Sequence, residues 1–252
     1  MEREEGIRQV MSKNMFSHLP YEDVLRAWNH FSSREVSDSE RIRLTRALLH
    51  RVYGAFSSDK LLSGKEKSPE WILRKHLSTR ERLPYYSALY RRLLADFHGS
   101  VFDLGAGANG FSVVFFPRAL SYVGIEGIGQ LVRLTQTYFE REHLSAEILH
   151  ASLFNLPFLK KTLRRAGGQS ILFLFKVLDS LEMLEPNYSK RLLLELSPLV
   201  QHVVVSFATK SMISRRTFRV KRTWLLDFIK EHFVLLDDFE LGGERYLVFS
   251  KR

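Results

Sequence analysis

The sequence predicts an α/β fold: a doubly wound, mostly parallel seven-stranded sheet that ends in an antiparallel C-terminal hairpin and follows an all-helical N-terminal extension. Three observations carry this. Residues 1–97 place apolar side chains at helical spacing with no competing strand pattern. From Ser100 onward short apolar runs alternate with helical stretches. The last two runs are separated only by a turn containing Gly242-Gly243, too short for a parallel crossover, so they must pair antiparallel.

In chain order, PYEDVLRAWNHF and SERIRLTRALLHRVYGAF read as amphipathic helices. Ser37-Asp38-Ser39-Glu40 offers an N-cap and early acids for the second, while Gly54 and the polar stretch 57–68 end it. Pro69 and Pro84 sit near the starts of two further helices. The strands are SVFDL, SYVGIE, AEILH, SILFLFKVLD, QHVVVSFAT, FVLLDDFEL and RYLVFSKR. This divides the chain into a helical region, 1–97, and an α/β domain, 98–252.

Hydrophobic residues make up 45% of the 252 positions, enough to bury a full core and to exclude disorder as the dominant state. The absence of cysteine removes disulfides, thiolate–zinc sites and any cysteine nucleophile. A charged start, MEREEGIRQV, and no apolar run approaching the roughly 18–20 residues of a membrane span predict a cytoplasmic protein without a membrane partner. The net charge of +10 favours a polyanionic partner, and by itself fits RNA, DNA or an anionic membrane surface.

The chemistry concentrates in VFDLGAGANG. Gly105, Gly107 and Gly110 follow a strand directly, where the missing Cβ atoms permit a sharp turn and a close approach of backbone N–H groups to a ligand. Glu126 ends the next strand, 21 residues after Gly105, and an acid there can accept from both ribose hydroxyls of an adenosine. That spacing serves dinucleotides and S-adenosylmethionine alike. Asp103, in the strand before the turn, favours the second: a carboxylate repels a pyrophosphate but suits a cationic sulfonium and its ammonium group. The terminal hairpin, with no substantial segment after it, points the same way.

Lys210, Arg215, Arg216, Arg219, Lys221 and Arg222 put six positive charges and no acid into 13 residues, a pattern that suits phosphates better than a solvated loop of mixed charge. A second basic group, Lys160, Lys161, Arg164 and Arg165, reads equally well as a helix face.

The chain also resembles the aminoglycoside-resistance 16S ribosomal RNA methyltransferases of the Arm, Rmt and Sgm type, which modify guanine N7 in the decoding site. HLSTRERLPYYSALY is similar to the segment these enzymes carry before the cofactor domain. VFDLGAGANG, SYVGIE, LFKVLDSLE, VVVSFATKS and GGERYLVFSKR follow in the family's order and spacing, from about Trp71 to the end. Gly110 stands where those enzymes usually have Pro, Glu126 replaces Asp, and Ser152 occupies a place where the resemblance leads to an acid near the adenine. These departures mark a distant homologue.

The resemblance implies a class I Rossmann-like methyltransferase domain that uses S-adenosyl-L-methionine, with 16S rRNA in the small ribosomal subunit as substrate, an N-terminal region that docks on RNA, no metal and a monomeric state. It assigns Arg82 to the cofactor carboxylate, for which a guanidinium fork is suited; a surface Arg paired with an acid is the plain alternative. His76, Ser78, Thr79, Asp103, Gly105, Gly107, Asn109, Glu126, Ser152 and Phe175 complete the expected cofactor set, though Ser78 and Thr79 also suit a cap on a helix entered at Glu81. Lys176 and Phe207, at the ends of the fourth and fifth strands, are placed to position the target base, Phe207 by stacking if it is not core. Asp179 suits a helix cap. Guanine N7 carries no proton, so no general base is required, and FKVLDSLE lacks the NPPY-like turn that would hold an exocyclic amino group. A small-molecule methyltransferase and a catalytically degenerate RNA-binding homologue are the alternatives.

Overall fold

The computed structural model describes residues 2–53, 67–209 and 222–252. The helices before the sheet are α1 (Arg3–Met11), α2 (Tyr21–Asn29), α3 (Asp38–Val52), α4 (Pro69–Lys75), α5 (Leu77–Arg82) and α6 (Tyr86–Leu94). Local chemistry sets their ends. Ser37 Oγ accepts from the Glu40 N–H at 3.3 Å to start α3, and Ser68 Oγ accepts from Trp71 N–H at 3.3 Å with Pro69 in the first turn of α4. Pro84 lies in a 3₁₀ turn, Leu83–Tyr85, that leads into α6.

The strands β1 (Ser100–Leu104), β2 (Ser121–Glu126), β3 (Ala146–His150), β4 (Ser170–Phe175), β5 (His202–Ala208), β6 (Phe233–Leu241) and β7 (Glu244–Lys251) form one seven-stranded sheet in the order β3-β2-β1-β4-β5-β7-β6. Pairing is parallel from β3 through β5, and β7 runs antiparallel to both β5 and β6. Gly242 and Gly243 connect β6 to β7 at φ of 64° and 80°, the left-handed pair a tight hairpin turn demands. Every residue of β4 is buried, as a central parallel strand covered by helices on both faces requires. β6 alternates instead, with a bulge between Leu235 and Asp237, as an edge strand does.

Helices α7 (Gly129–Arg141), α8 (Leu156–Leu163), α9 (Leu178–Leu184), α10 (Tyr188–Leu196) and α11 (Thr223–His232) follow β2 through β5. One hydrophobic core runs from Ile7 to Phe249. Tyr86 and Tyr90 of α6 are fully buried, with the Tyr90 ring 6.3 Å from that of Phe173 in β4, so the last helix before the sheet is part of its packing. Among the described residues no helix is long and apolar enough to cross a membrane.

The chain reverses strand order between β1 and β4, and at that switch point the carboxyl ends of the strands open a crevice. α2, α3 and α5 close it from the other side.

Candidate functional site

The crevice begins where β1 ends. Gly105 and Gly107 have φ of 69° and 53°. A Cβ on Gly105 would stand 2.6 Å from Val177 Cγ2, and one on Gly107 would stand 2.9 Å from His76 Nε2, so neither position tolerates a side chain. Gly110 is needed for a different reason: its Cβ would meet Thr135 Cγ2 of α7 at 2.7 Å, which accounts for a glycine there in terms of helix packing. Asn109 opens a 3₁₀ helix, Asn109–Phe115, and its amide spans the site, donating to Asp103 Oδ2 at 2.7 Å and accepting from Tyr86 at 2.7 Å and Arg82 at 3.1 Å.

Two buried acids flank this turn. Asp103 Oδ2 also accepts from the Tyr122 hydroxyl at 2.8 Å. Glu126 is gripped by backbone: Gly107 N–H donates to Oε2 and Ile128 N–H to Oε1, each at 2.7 Å. Burial pushes both carboxyls above the usual acid range, although the hydrogen bonds they accept pull the other way.

The same crevice holds a balanced set of charges. Arg82, 2% exposed, donates to Glu244 at 2.8 Å, to the Tyr246 hydroxyl at 3.2 Å and to Ser78 at 3.4 Å, with its guanidinium 4.7 Å from the centre of the Phe175 ring. Lys176 bridges Glu81 at 2.7 Å and Glu244 at 3.2 Å; Ser206 also donates to Glu244. Burial works to raise the Glu244 carboxyl, but Arg82 and Lys176 hold it below its ordinary value. Lys176 takes φ of 57°, a costly backbone state for a residue with a side chain, and its backbone N–H donates to the Ser206 carbonyl at 3.1 Å. Burial, then Arg82 and Lys176, depress His76 to about 3, so its ring is neutral beside Gly107.

These residues line one continuous cleft. Its wall brings together the expected His76, Ser78, Thr79, Arg82, Asp103, Gly105, Gly107, Asn109, Glu126, Phe175 and Lys176. Ser152 is buried just behind the wall, donating to Asp23 and accepting from the Phe154 N–H at 3.0 Å. Thr79 does not cap a helix: α5 already begins at Leu77, and the hydroxyl donates to the carbonyls of Leu73 at 2.8 Å and His76 at 3.1 Å. Arg82 is paired with an acid, but in the interior and not on a helix surface.

Phe207 is buried in β5 outside this wall, with the Arg222 guanidinium 5.1 Å from its ring centre. Arg222 grips Asp179 through two nitrogens, so that acid is engaged in an ion pair and caps no helix. Lys210, Arg215, Arg216, Arg219 and Lys221 lie outside the described residues. In the second basic group, Lys160 pairs with Glu195 and Arg165 with Glu147, as a solvated helix face does.

Sequence reading missed Glu244, Glu81, Tyr246, Asp23 and Tyr53. Glu244 and Tyr246 carried a signal, an acid and a hydroxyl two apart in a strand and therefore on one face. Asp23 carried none, since an acid in the first turn of a helix is ordinary. Among the described residues no group of three or more His, Cys, Asp or Glu is arranged to hold a metal ion.

No protein-family model matches the sequence, and a search of curated proteins finds no match either. Solved structures do match. The 16S rRNA methyltransferase RmtF, in complex with S-adenosyl-L-homocysteine, shares 19% identity at a TM-score of 0.82 over 100% of both chains. The 16S rRNA methylase RmtB shares 19% at 0.82, covering 100% of this chain and 99% of its own. An rRNA methylase from Escherichia coli shares 18% at 0.80 over 99% of each. The likeness is one of fold, and it extends through the N-terminal helices as well as the sheet.

Proposed function

We propose that this chain is an S-adenosylmethionine-dependent methyltransferase of 16S rRNA that methylates guanine N7 in the decoding region of the cytoplasmic small ribosomal subunit. The observation that carries the reading is the pair of buried acids, Asp103 and Glu126, on either side of a glycine turn that no Cβ can enter. The donor set fits the cofactor. Glu126, held by two backbone N–H groups, would accept from a ribose diol, Asp103 would offer a negative charge to a cationic group, and Arg82 would present a guanidinium to a carboxylate.

When bound, S-adenosylmethionine supplies an electrophilic methyl group on a sulfonium. The protein's share is alignment. The guanine N7 lone pair lies in the ring plane and needs no deprotonation, so a neutral His76 and a Lys176 held between two carboxylates suit the reaction, and catalysis rests on holding two reactants in line. Lys176, at the mouth of β4, is the group we assign to the target base. Phe207 is buried outside the cleft wall and is not assigned to the base. The net charge of +10 supports a phosphate-rich partner, and the neighbours whose fold this chain shares are 16S rRNA methyltransferases.

The test is incubation of small ribosomal subunits and of bare 16S rRNA with methyl-labelled cofactor, followed by mass mapping of the rRNA. A single labelled guanine, lost in Asp103→Asn, is expected. Absence of label from both substrates overturns the reading, and label in a small molecule of the extract instead would transfer the chain to another substrate class.

A further inference from the structure

One buried acid of the cleft belongs neither to the glycine turn nor to the sheet. Asp23 sits on α2, is 1% exposed, and contributes to the cleft wall together with Val52 and Tyr53 of the α3 end. Its two oxygens are each held once: Oδ2 by the Tyr53 hydroxyl at 2.5 Å and Oδ1 by Ser152. A carboxylate offers about four lone-pair sites, so each oxygen keeps one for a further donor. Both partners are neutral hydroxyls, and a buried carboxylate with no cation in its grip is costly unless another donor satisfies it.

The position is specific. A Cβ on Gly127, the residue after the ribose acid, would stand 3.7 Å from Asp23 Oδ2 and 3.3 Å from Tyr53 Cε1. The carboxyl therefore borders the strand end that carries Glu126. The rest of this end of the cleft is apolar, lined by Ile128, Ala151, Leu153 and Phe154, a slot suited to a planar ring with one polar edge. Ser152, just behind the wall, carries no negative charge of its own and gives its hydroxyl to Asp23; the charge arrives from the N-terminal helices instead, and Ser152 orients it.

We propose that Asp23 is the residue that reads the adenine of the cofactor, accepting from its exocyclic amino group, so that the helical region supplies part of the cofactor site. This rests on the cofactor reading given above. Further bonds tie the same region to the start of α7 and the end of α9. The Gly129 N–H at the start of α7 donates to the His18 carbonyl at 3.1 Å, Gln130 donates to the Asn14 carbonyl at 2.9 Å, and Arg26 pairs with Glu185 at 3.0 Å while its guanidinium lies 4.5 Å from the centre of the Phe154 ring. Cofactor binding and the seating of α2 and α3 are therefore one linked equilibrium: whatever loosens these helices weakens the adenine end of the site.

The experiment is calorimetric binding of S-adenosylhomocysteine and of its inosine analogue, in which a carbonyl replaces the amino group, to the full chain. Wild type is expected to prefer the adenosyl ligand, and Asp23→Asn to reduce that preference by about 10- to 100-fold, the size of a buried hydrogen bond gained or lost. Asp23→Asn combined with Ser152→Asp, which returns an acid to the same hydrogen-bonded pair, is expected to restore it. Ser152→Ala, which keeps the acid but removes its orienting bond, is a second variant and should lower the preference by a smaller factor. If Asp23→Asn weakens both ligands equally, leaving their ratio unmoved, Asp23 is structural and the inference is overturned while the cofactor reading stands. If wild type binds neither ligand, the cofactor reading falls and takes the inference with it.

Discussion

Two groups of charge line the cleft, and they are built on opposite plans. In one, Arg82, Lys176, Glu244 and Glu81 neutralise one another through ion pairs of 2.7 to 3.2 Å. In the other, Asp23, Asp103 and Glu126 are held by hydroxyls, a side-chain amide and backbone N–H groups, none of which carries charge. The first group is balanced in charge within the protein and fixes the geometry of the wall. The second is a concentration of acid whose charge is met only when a cation or a row of donors enters the cleft. A buried ion network by itself says little about function; three buried acids without a cation in their grip say that a ligand belongs there.

The sharpest way to break this contrast is to upset the balanced group. Glu244→Ala leaves Arg82 and Lys176 buried without their shared acid and should destabilise the fold by about 3–5 kcal/mol, read as a lowered unfolding midpoint. A loss under about 1 kcal/mol would mean that the network is not closed.

On the acid side the expected signature is a dependence on pH. Burial, opposed by Ser152 and Tyr53, raises the Asp23 carboxyl from 3.8 to about 6, with Glu22 adding to the rise and Arg26 countering it. A folded-state value above the unfolded one stabilises the fold fully below about pH 4, and that contribution is lost as pH rises through about 6. The ligand-free protein should therefore lose up to about 3 kcal/mol across this window relative to Asp23→Asn. Asp103 and Glu126 shift in the same direction. Parallel stability curves for wild type and variant would remove Asp23 from the account.

Asp103→Asn separates the two plans most directly. It should leave stability within about 1 kcal/mol of wild type, because it removes an uncompensated charge, and yet weaken cofactor binding about 10- to 100-fold in calorimetry. Equal damage to both would place Asp103 with the structural group. The smallest effect is expected outside the cleft: Arg222→Ala breaks a pair whose Asp179 side chain is 53% exposed, worth under about 1 kcal/mol. Its loss should flatten the salt dependence of RNA binding by about one contact.

The sequence foretold what depends on neighbours in the chain. VFDLGAGANG announced a strand, a turn and an acid because each is a local requirement, and Gly242-Gly243 announced the hairpin for the same reason. Glu126 followed from strand spacing. The partners of these residues were not legible. Arg82 meets Glu244 across 162 positions and Ser152 meets Asp23 across 129, and nothing in either local pattern names the other end. Hence Arg82 was read without its acid, Ser152 as a place from which an acid had gone, and Lys176 without its left-handed backbone. The apparent loss at Ser152 is, in three dimensions, a change in which segment supplies the acid.

The pairing of Arg82 with Glu244 also orders events in time. A ribosome adding about 5–20 residues per second needs roughly 8–30 seconds to travel from one to the other. Throughout that interval the guanidinium has neither its acid nor the Tyr246 hydroxyl. The emerging chain holds both glycines and both acids of the turn before it holds the strand that completes the ion network. Ligand capture by the finished site is thus a step that follows synthesis, and the arrival of the last strand is what permits it.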